Sequence, residues 1–239
     1  MRKYSIFLVD VDDTLLDFHR ASLDGLKAVF ESFNIAWQPR FGEVFTRLNN
    51  RLWESLERKE ITRQYLHDVR FSMYLESLGI EGVSGNTYNE RFLQYLARNP
   101  VYKEGAEAFL TALNKLGRVY FVTNGTLWIQ QSRFEIAGLY RYGLEAFVSD
   151  AIGYDKPSPK YTEYVLSHIP DFEREKAVWI GDSLSADICA ANEAKIDSVW
   201  FNYREKTASG KIQPTYEAKN FEEILQILTG NEKVGNFFP

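Results

Sequence analysis

Three carboxylates, Asp10, Asp12 and Asp13, fall within four residues, directly after the uncharged run Ile6-Phe7-Leu8-Val9. Like charges this close repel, so the cluster calls for a cation, and a divalent metal is the plainest one. Three further clusters carry groups suited to the same chemistry. Thr123-Asn124-Gly125 follows the apolar run Val119–Val122. Lys156 precedes Pro157, and Gly181-Asp182-Ser183-Leu184-Ser185-Ala186-Asp187 follows Ala177–Ile180. Together these groups suit phosphoryl transfer through a carboxyl phosphate. One carboxylate serves as nucleophile. Lys156 can balance the phosphoryl oxygens, and the Thr123 hydroxyl can donate to one of them. A second carboxylate is needed to protonate the leaving oxygen and then activate water. Asp12 shares a face with Asp10 if strand alternation continues past Val9. Magnesium suits carboxylates brought in by two loops.

Each cluster also has a bland explanation. A calcium loop counted from Asp10 would need glycine at its sixth position and glutamate at its twelfth, but those are Leu15 and Ala21. Asn-Gly is ordinary turn chemistry. Lys156 alone would be a surface lysine, and Asp182 alone could cap a helix. Ser183 or Ser185 can cap equally well, which leaves Asp182 for metal. Asp13 is read as structural. His19, His67 and His168 show no ligand spacing, and Cys189 is read as a packed small residue.

The clusters require elements that end together. Ile6–Val9 reads as a buried strand. From Gly105 onward, helices alternate with short apolar strands. Helices are expected at Ala106–Leu116, Leu127–Ala137, Tyr161–Ser167, Ala186–Ala194 and Phe221–Leu228. Strands are expected at Val119–Val122, Ala146–Val148, Ala177–Ile180 and, last, Ser198–Phe201. This alternation predicts an α/β fold, a doubly wound parallel sheet whose strand ends carry the ligands. Between the first strand and this region, helical spacing dominates. Leu23, Leu26, Val29, Phe30 and Phe33 show it, as do Phe41, Val44, Phe45, Leu48 and Leu52. The expected division is an α/β core, 1–16 with 104–229, an inserted all-helical domain, 17–103, and a peripheral tail, 230–239. The two crossings between them are candidate hinges.

Composition bounds the function. With 28 basic and 33 acidic residues the net charge is −5, which gives no nucleic-acid footprint. A 45% hydrophobic, 26% charged chain is ordinary for a soluble globular protein. One cysteine excludes an internal disulfide. No stretch reaches the length of a membrane span, and the opening apolar run is too short for a secretory signal. A cytoplasmic protein, monomer or homodimer, is expected, with no membrane or nucleic-acid polymer as partner.

The four clusters match Asp-x-Asp-x-Thr at 10–14, a strand-ending Thr at 123, the lysine at 156 and Gly-Asp-x-x-x-x-Asp at 181–187. In this order they resemble the haloacid dehalogenase superfamily of phosphohydrolases, across essentially the whole chain. The resemblance implies a Rossmann-like core with a mobile helical cap. It implies Asp10 as nucleophile, Asp12 as general acid/base, and Thr123 and Lys156 on the phosphoryl group. It further implies Mg2+ on the Asp10 carboxylate, the Asp12 backbone carbonyl and Asp182, with Asp187 supporting. The stretch Leu48–Glu54 with Glu57, Ile61, Leu66, Arg70 and Phe71 resembles the cap of a nucleotidase-like branch. Thr123-Asn124-Gly125 with Gln131, Arg133 and Gly138-Leu139 resembles that branch's second motif. A small phosphomonoester, of nucleoside 5′-monophosphate type, is the implied substrate. Thr123, Asn124, Gly125 and Lys156 are its implied contacts, joined by Asn50, Trp53 and Arg70 from the cap. Trp53 is equally readable as cap core. Ala190–Ala194 departs from the family, where relatives tend to carry glycine.

Rival functions remain. A metal-free dehalogenase would lack the acid at position 12. A phosphosugar phosphatase or mutase shares all four motifs. A signalling receiver domain places its phospho-accepting Asp on a later strand and lacks the helical insertion. A catalytically silent binding protein would not need the full set.

Overall fold

The computed structural model describes residues 3–207 and 210–230. The chain divides into two compact units, residues up to 17 together with those from 102 on, and residues 18–101.

In chain order, β1 (Ile6–Val9) is followed by α1 (Phe18–Ser32), α2 (Pro39–Glu57), α3 (Arg63–Leu78) and α4 (Gly85–Arg98). Then come α5 (Ala106–Leu116), β2 (Arg118–Thr123), α6 (Leu127–Ala137), β3 (Glu145–Val148), α7 (Ser149–Ile152) and α8 (Pro159–Ser167). The remaining elements are β4 (Ala177–Gly181), α9 (Cys189–Glu193), β5 (Asp197–Phe201), β6 (Tyr216–Ala218) and α10 (Phe221–Thr229).

Among the described residues, six strands form one parallel sheet in the order β3-β2-β1-β4-β5-β6. The order reverses at β1, so β1 and β4 border the crevice where doubly wound sheets bind ligands. The core strands are buried on both faces and alternate accordingly. Phe7, Val9, Val119, Phe121, Val178 and Ile180 pack with Phe109, Leu113, Phe221 and Leu225 of α5 and α10. Ile6, Leu8, Tyr120, Val122 and Trp179 pack on the other side with Tyr161 and Val165 of α8 and Ala190 and Ala191 of α9. This period of two explains uninterrupted apolar strands.

Two local features differ from the sequence expectation. Ser198–Phe201 is not the last strand, because β6 pairs with β5 at the sheet edge. β6 is three residues long with an exposed Glu217 at its centre, so it carries almost no apolar signal. The helix expected over Ala186–Ala194 opens instead with a π-helical turn, Leu184–Ile188, before α9. Most of the expected tail, 230–239, lies outside the described residues.

The unit of residues 18–101 is all-helical. Its core is aromatic: Phe30, Phe41, Phe45, Phe71, Tyr74, Tyr88 and Phe92 are all buried. The two tyrosine hydroxyls are satisfied internally. Tyr74 donates to the Phe41 carbonyl and Tyr88 to the Leu26 carbonyl, each at 2.9 Å. α3 ends at Gly79, whose φ of 68° is a left-handed cap that glycine adopts freely. No helix among the described residues is long and apolar enough to cross a membrane.

Candidate active site

Asp10 extends β1 by one residue, its amide donating to the Ile180 carbonyl of β4 at 2.9 Å. The chain then folds tightly back, with the Leu15 and Leu16 amides on the Val11 carbonyl at 2.8 and 2.9 Å. Asp13 sits in this turn at φ 62°, a conformation Asp tolerates better than most residues. Its carboxylate accepts from Arg204 at 3.0 Å. Both facts fit the structural part expected of it.

Asp10 is 5% exposed and its two oxygens are held separately. Oδ1 accepts from Lys156 Nζ at 2.7 Å and Oδ2 from the Thr14 hydroxyl at 2.8 Å. Lys156 is 2% exposed and spends its ammonium on three acceptors. These are Asp10, Asp187 Oδ1 at 2.6 Å and the Val122 carbonyl at 2.9 Å. Burial works against the lysine's charge, but Asp10 and Asp187 more than offset it and hold its pKa above the ordinary value. Asp10 is pushed up to about 7, chiefly by burial and then by the Asp187 charge, with Lys156 opposing.

Asn124 accepts from the Lys156 amide at 2.8 Å and donates to its carbonyl at 2.9 Å. The amide expected to touch substrate is thereby committed to fixing the loop that delivers Lys156.

The π-helical turn after β4 aims Asp187 inward. Its Oδ1 takes Lys156 and Trp179 Nε1, and its Oδ2 takes the Ser183 amide at 3.2 Å. Ser183 caps the turn by accepting from the Ala186 amide, which leaves the Asp182 side chain uncommitted to capping. One carboxylate oxygen each from Asp10, Asp182 and Asp187 lies within 4.8 Å of the others. Desolvation, then the charges of Asp13, Asp10 and Asp187, raise the pKa of Asp182 well above the usual carboxylate range. Among the described residues no protein cation reaches Asp182 at ion-pair distance, and Lys156 is the one lysine among these three carboxylates. Such an oxygen-rich, under-neutralised donor set fits a hard divalent cation.

Asp12 does not continue the strand. Its carboxylate turns to α6, where Arg133 pairs with Oδ1 at 2.6 Å and Gln130 Nε2 donates to Oδ2 at 2.9 Å. The same Gln130 nitrogen donates to the Thr123 hydroxyl oxygen at 2.8 Å. The sequence expectation named Gln131, which is exposed, where Gln130 is the buried residue. A signal for it exists. Gln130, Arg133, Phe134 and Ala137 stand at i, i+3, i+4 and i+7 on one face of α6, and the first two are polar where a core face should be apolar. Thr14 was legible as part of a motif, without a role.

The cap candidates are described within their own unit. Asn50 is exposed and lines an open cavity of about 670 Å³ with Arg47, Arg51 and Glu54. Trp53 is half-buried, with the Arg63 guanidinium 5.9 Å from its ring. Arg70 is buried, donating to Asn49 at 3.2 Å and Asn89 at 3.0 Å, with its guanidinium over Phe71 and Phe92. That is the placement of a packing group within the unit.

A doubly wound sheet with a buried Asp–Lys–Asp centre at its switch point, and a second held carboxylate beside it, has the layout of an enzyme's ligand site. Residues 4–195 match the haloacid dehalogenase-like hydrolases, and the chain belongs to that family of hydrolases. It is 34% identical over 228 residues to the HAD-hydrolase YfnB of Bacillus subtilis strain 168, covering 95% of this chain and 97% of that one. It is 33% identical to the pyrimidine 5′-nucleotidase PynA of Streptococcus pneumoniae, covering 95% and 96%, and 26% identical to the pyrimidine 5′-nucleotidase YjjG of Escherichia coli, covering 95% and 98%. The crystal structure of YfnB bound to magnesium superposes with a TM-score of 0.90, covering 95% of this chain and 99% of that one.

Proposed function

We propose that this protein is a magnesium-dependent phosphatase that hydrolyses a small phosphomonoester, a nucleoside 5′-monophosphate of pyrimidine type, through Asp10. The observation that carries this is Asp10 itself, buried, held on one oxygen by Lys156 and on the other by Thr14, and grouped with Asp182 and Asp187. The substrate class is supported by the likeness to PynA and YjjG.

An Asp10 oxygen attacks phosphorus and the ester P–O bond breaks. The leaving oxygen takes its proton from Asp12. Water then attacks the aspartyl phosphate and gives its proton to Asp12. The P–O bond to Asp10 breaks, inorganic phosphate departs, and both carboxyl groups are restored. Lys156 balances the phosphoryl oxygens, and Thr123 donates its hydroxyl to one of them. Asp10 and Asp182 would hold the magnesium ion, with the Asp12 carbonyl, and Asp187 would support it by anchoring Lys156. When bound, the ion supplies positive charge against the phosphoryl dianion and favours ionised Asp10.

The test is phosphate release from a panel of nucleoside monophosphates and sugar phosphates with magnesium. Turnover of pyrimidine 5′-monophosphates that stops in excess chelator is the expected result. Sugar phosphates as the only substrates would overturn the nucleotide assignment. Chelator-resistant dehalogenation of a 2-haloacid would overturn the phosphatase assignment.

A further inference from the structure

We infer that Gln130 and Arg133 are positioning residues that aim the Asp12 carboxylate and set the direction of the Thr123 hydroxyl. The inference rests on the assignment of Asp12 as acid/base. Both side chains are buried, 1% and 2% exposed, on one face of α6. Their hydrogen-bond polarity is forced by chemistry. A guanidinium only donates, so the Gln130 atom facing Arg133 at 2.8 Å must be the carbonyl oxygen. The other end is therefore the NH2 group, and it has two hydrogens for two acceptors, Asp12 Oδ2 and Thr123 Oγ1. Arg133 faces the remaining Asp12 oxygen as an ion pair at 2.6 Å, without hydrogen-bond alignment. With its oxygen already accepting from Gln130, Thr123 keeps its own hydrogen for donation to a phosphoryl oxygen. One amide, locked by one guanidinium, thus couples the proton-handling carboxylate to the phosphoryl-binding hydroxyl.

A second observation comes from Gly125. Its φ lies outside the left-handed region, so backbone freedom does not explain it. A Cβ there would lie 2.9 Å from both Gln130 Cγ and Nε2. The glycine that reads as turn chemistry is the space into which Gln130 fits. Burying a guanidinium is costly unless it is paired, and an apolar residue would serve the helix face better. Among the described residues Asp12 is the one carboxylate that pairs with Arg133.

The experiment compares kcat/KM for a nucleoside 5′-monophosphate, whose alcohol leaves poorly without a proton, and for p-nitrophenyl phosphate, whose phenolate leaves without one. The variants are Gln130→Met, Arg133→Met and Gly125→Ala, each checked by its melting transition, with Asp12→Ala as reference. Misaiming a general acid should cost roughly 10²–10³-fold on the nucleotide and far less on the aryl ester. On the nucleotide, Arg133→Met added to Asp12→Ala should cost far less than Arg133→Met alone, because most of its effect runs through Asp12 and only the Gln130–Thr123 contact is left to disturb. Arg133→Lys should recover part of the nucleotide activity. Equal losses on both substrates, or additive losses in the double variant, would overturn the inference. If Asp12→Ala itself shows no leaving-group dependence, the acid/base assignment fails and this inference with it. If Met at 130 or 133 prevents folding, Gly125→Ala decides, since it moves Gln130 without removing a buried polar group.

Discussion

A Cβ on Gly181 would fall on the carboxylate of Asp187, which explains why that strand ends in glycine. The carboxylate must come that close because it anchors Lys156, and Lys156 in turn holds Asp10. Gly181→Ala is therefore expected to act at a distance, on Lys156 and Asp10, though alanine is chemically inert. Crowding of this kind costs about 1–3 kcal/mol of stability, which denaturant unfolding would read. Turnover should fall more than stability accounts for. Wild-type turnover in a stably folded Gly181→Ala would show that Lys156 does not depend on Asp187. Asn124 follows the same logic, since its amide reaches the site only through the backbone of residue 156.

At the scale of elements, the site is built by strand ends and one helix face. β1, β2 and β4 stop side by side and present Asp10, Thr123 and Asp182 because the sheet order reverses at β1. This much was legible, since apolar runs ending in carboxylates or Thr-Asn-Gly announce both the strand and its edge. Gln130 was not, because choosing between Gln130 and Gln131 needs the phase of α6. That phase is set by where the helix starts after Thr126. The π-helical turn was not legible either. It depends on Asp187 reaching Lys156, a contact 31 residues away in sequence. Arg70 entered through the resemblance to a nucleotidase-like cap, and its burial depends on tertiary partners that spacing does not show. Here asparagines and aromatic faces accommodate it inside the helical unit. That unit relies on its aromatic core, with Phe71 within 4.9–6.0 Å, centroid to centroid, of Tyr74, Tyr88, Phe92 and Phe45. Phe71→Ala should cost roughly 3–5 kcal/mol, measured by denaturant unfolding. A loss below about 1 kcal/mol would contradict that description of the core.

For the whole molecule, the buried carboxylates link stability to pH and metal. Asp10 has its pKa raised to about 7 in the folded state and near the ordinary carboxylate value when unfolded. The folded state thus binds more protons between those values, so metal-free stability should fall as pH rises from about 4 to about 7. Asp182 is raised too and acts in the same direction. Lys156 is charged in both states across this window and does not alter the slope. A divalent cation competes with those protons, so magnesium should raise the melting temperature more at pH 8 than at pH 6. Thermal melts with and without magnesium at both pH values check this, and a larger effect at pH 6 would contradict it. The most direct test of the central claim is phosphate release by Asp10→Asn with magnesium. Turnover should vanish on both a pyrimidine 5′-monophosphate and p-nitrophenyl phosphate, with the melting transition still cooperative. Substantial turnover by a folded Asp10→Asn protein would contradict Asp10 as the nucleophile.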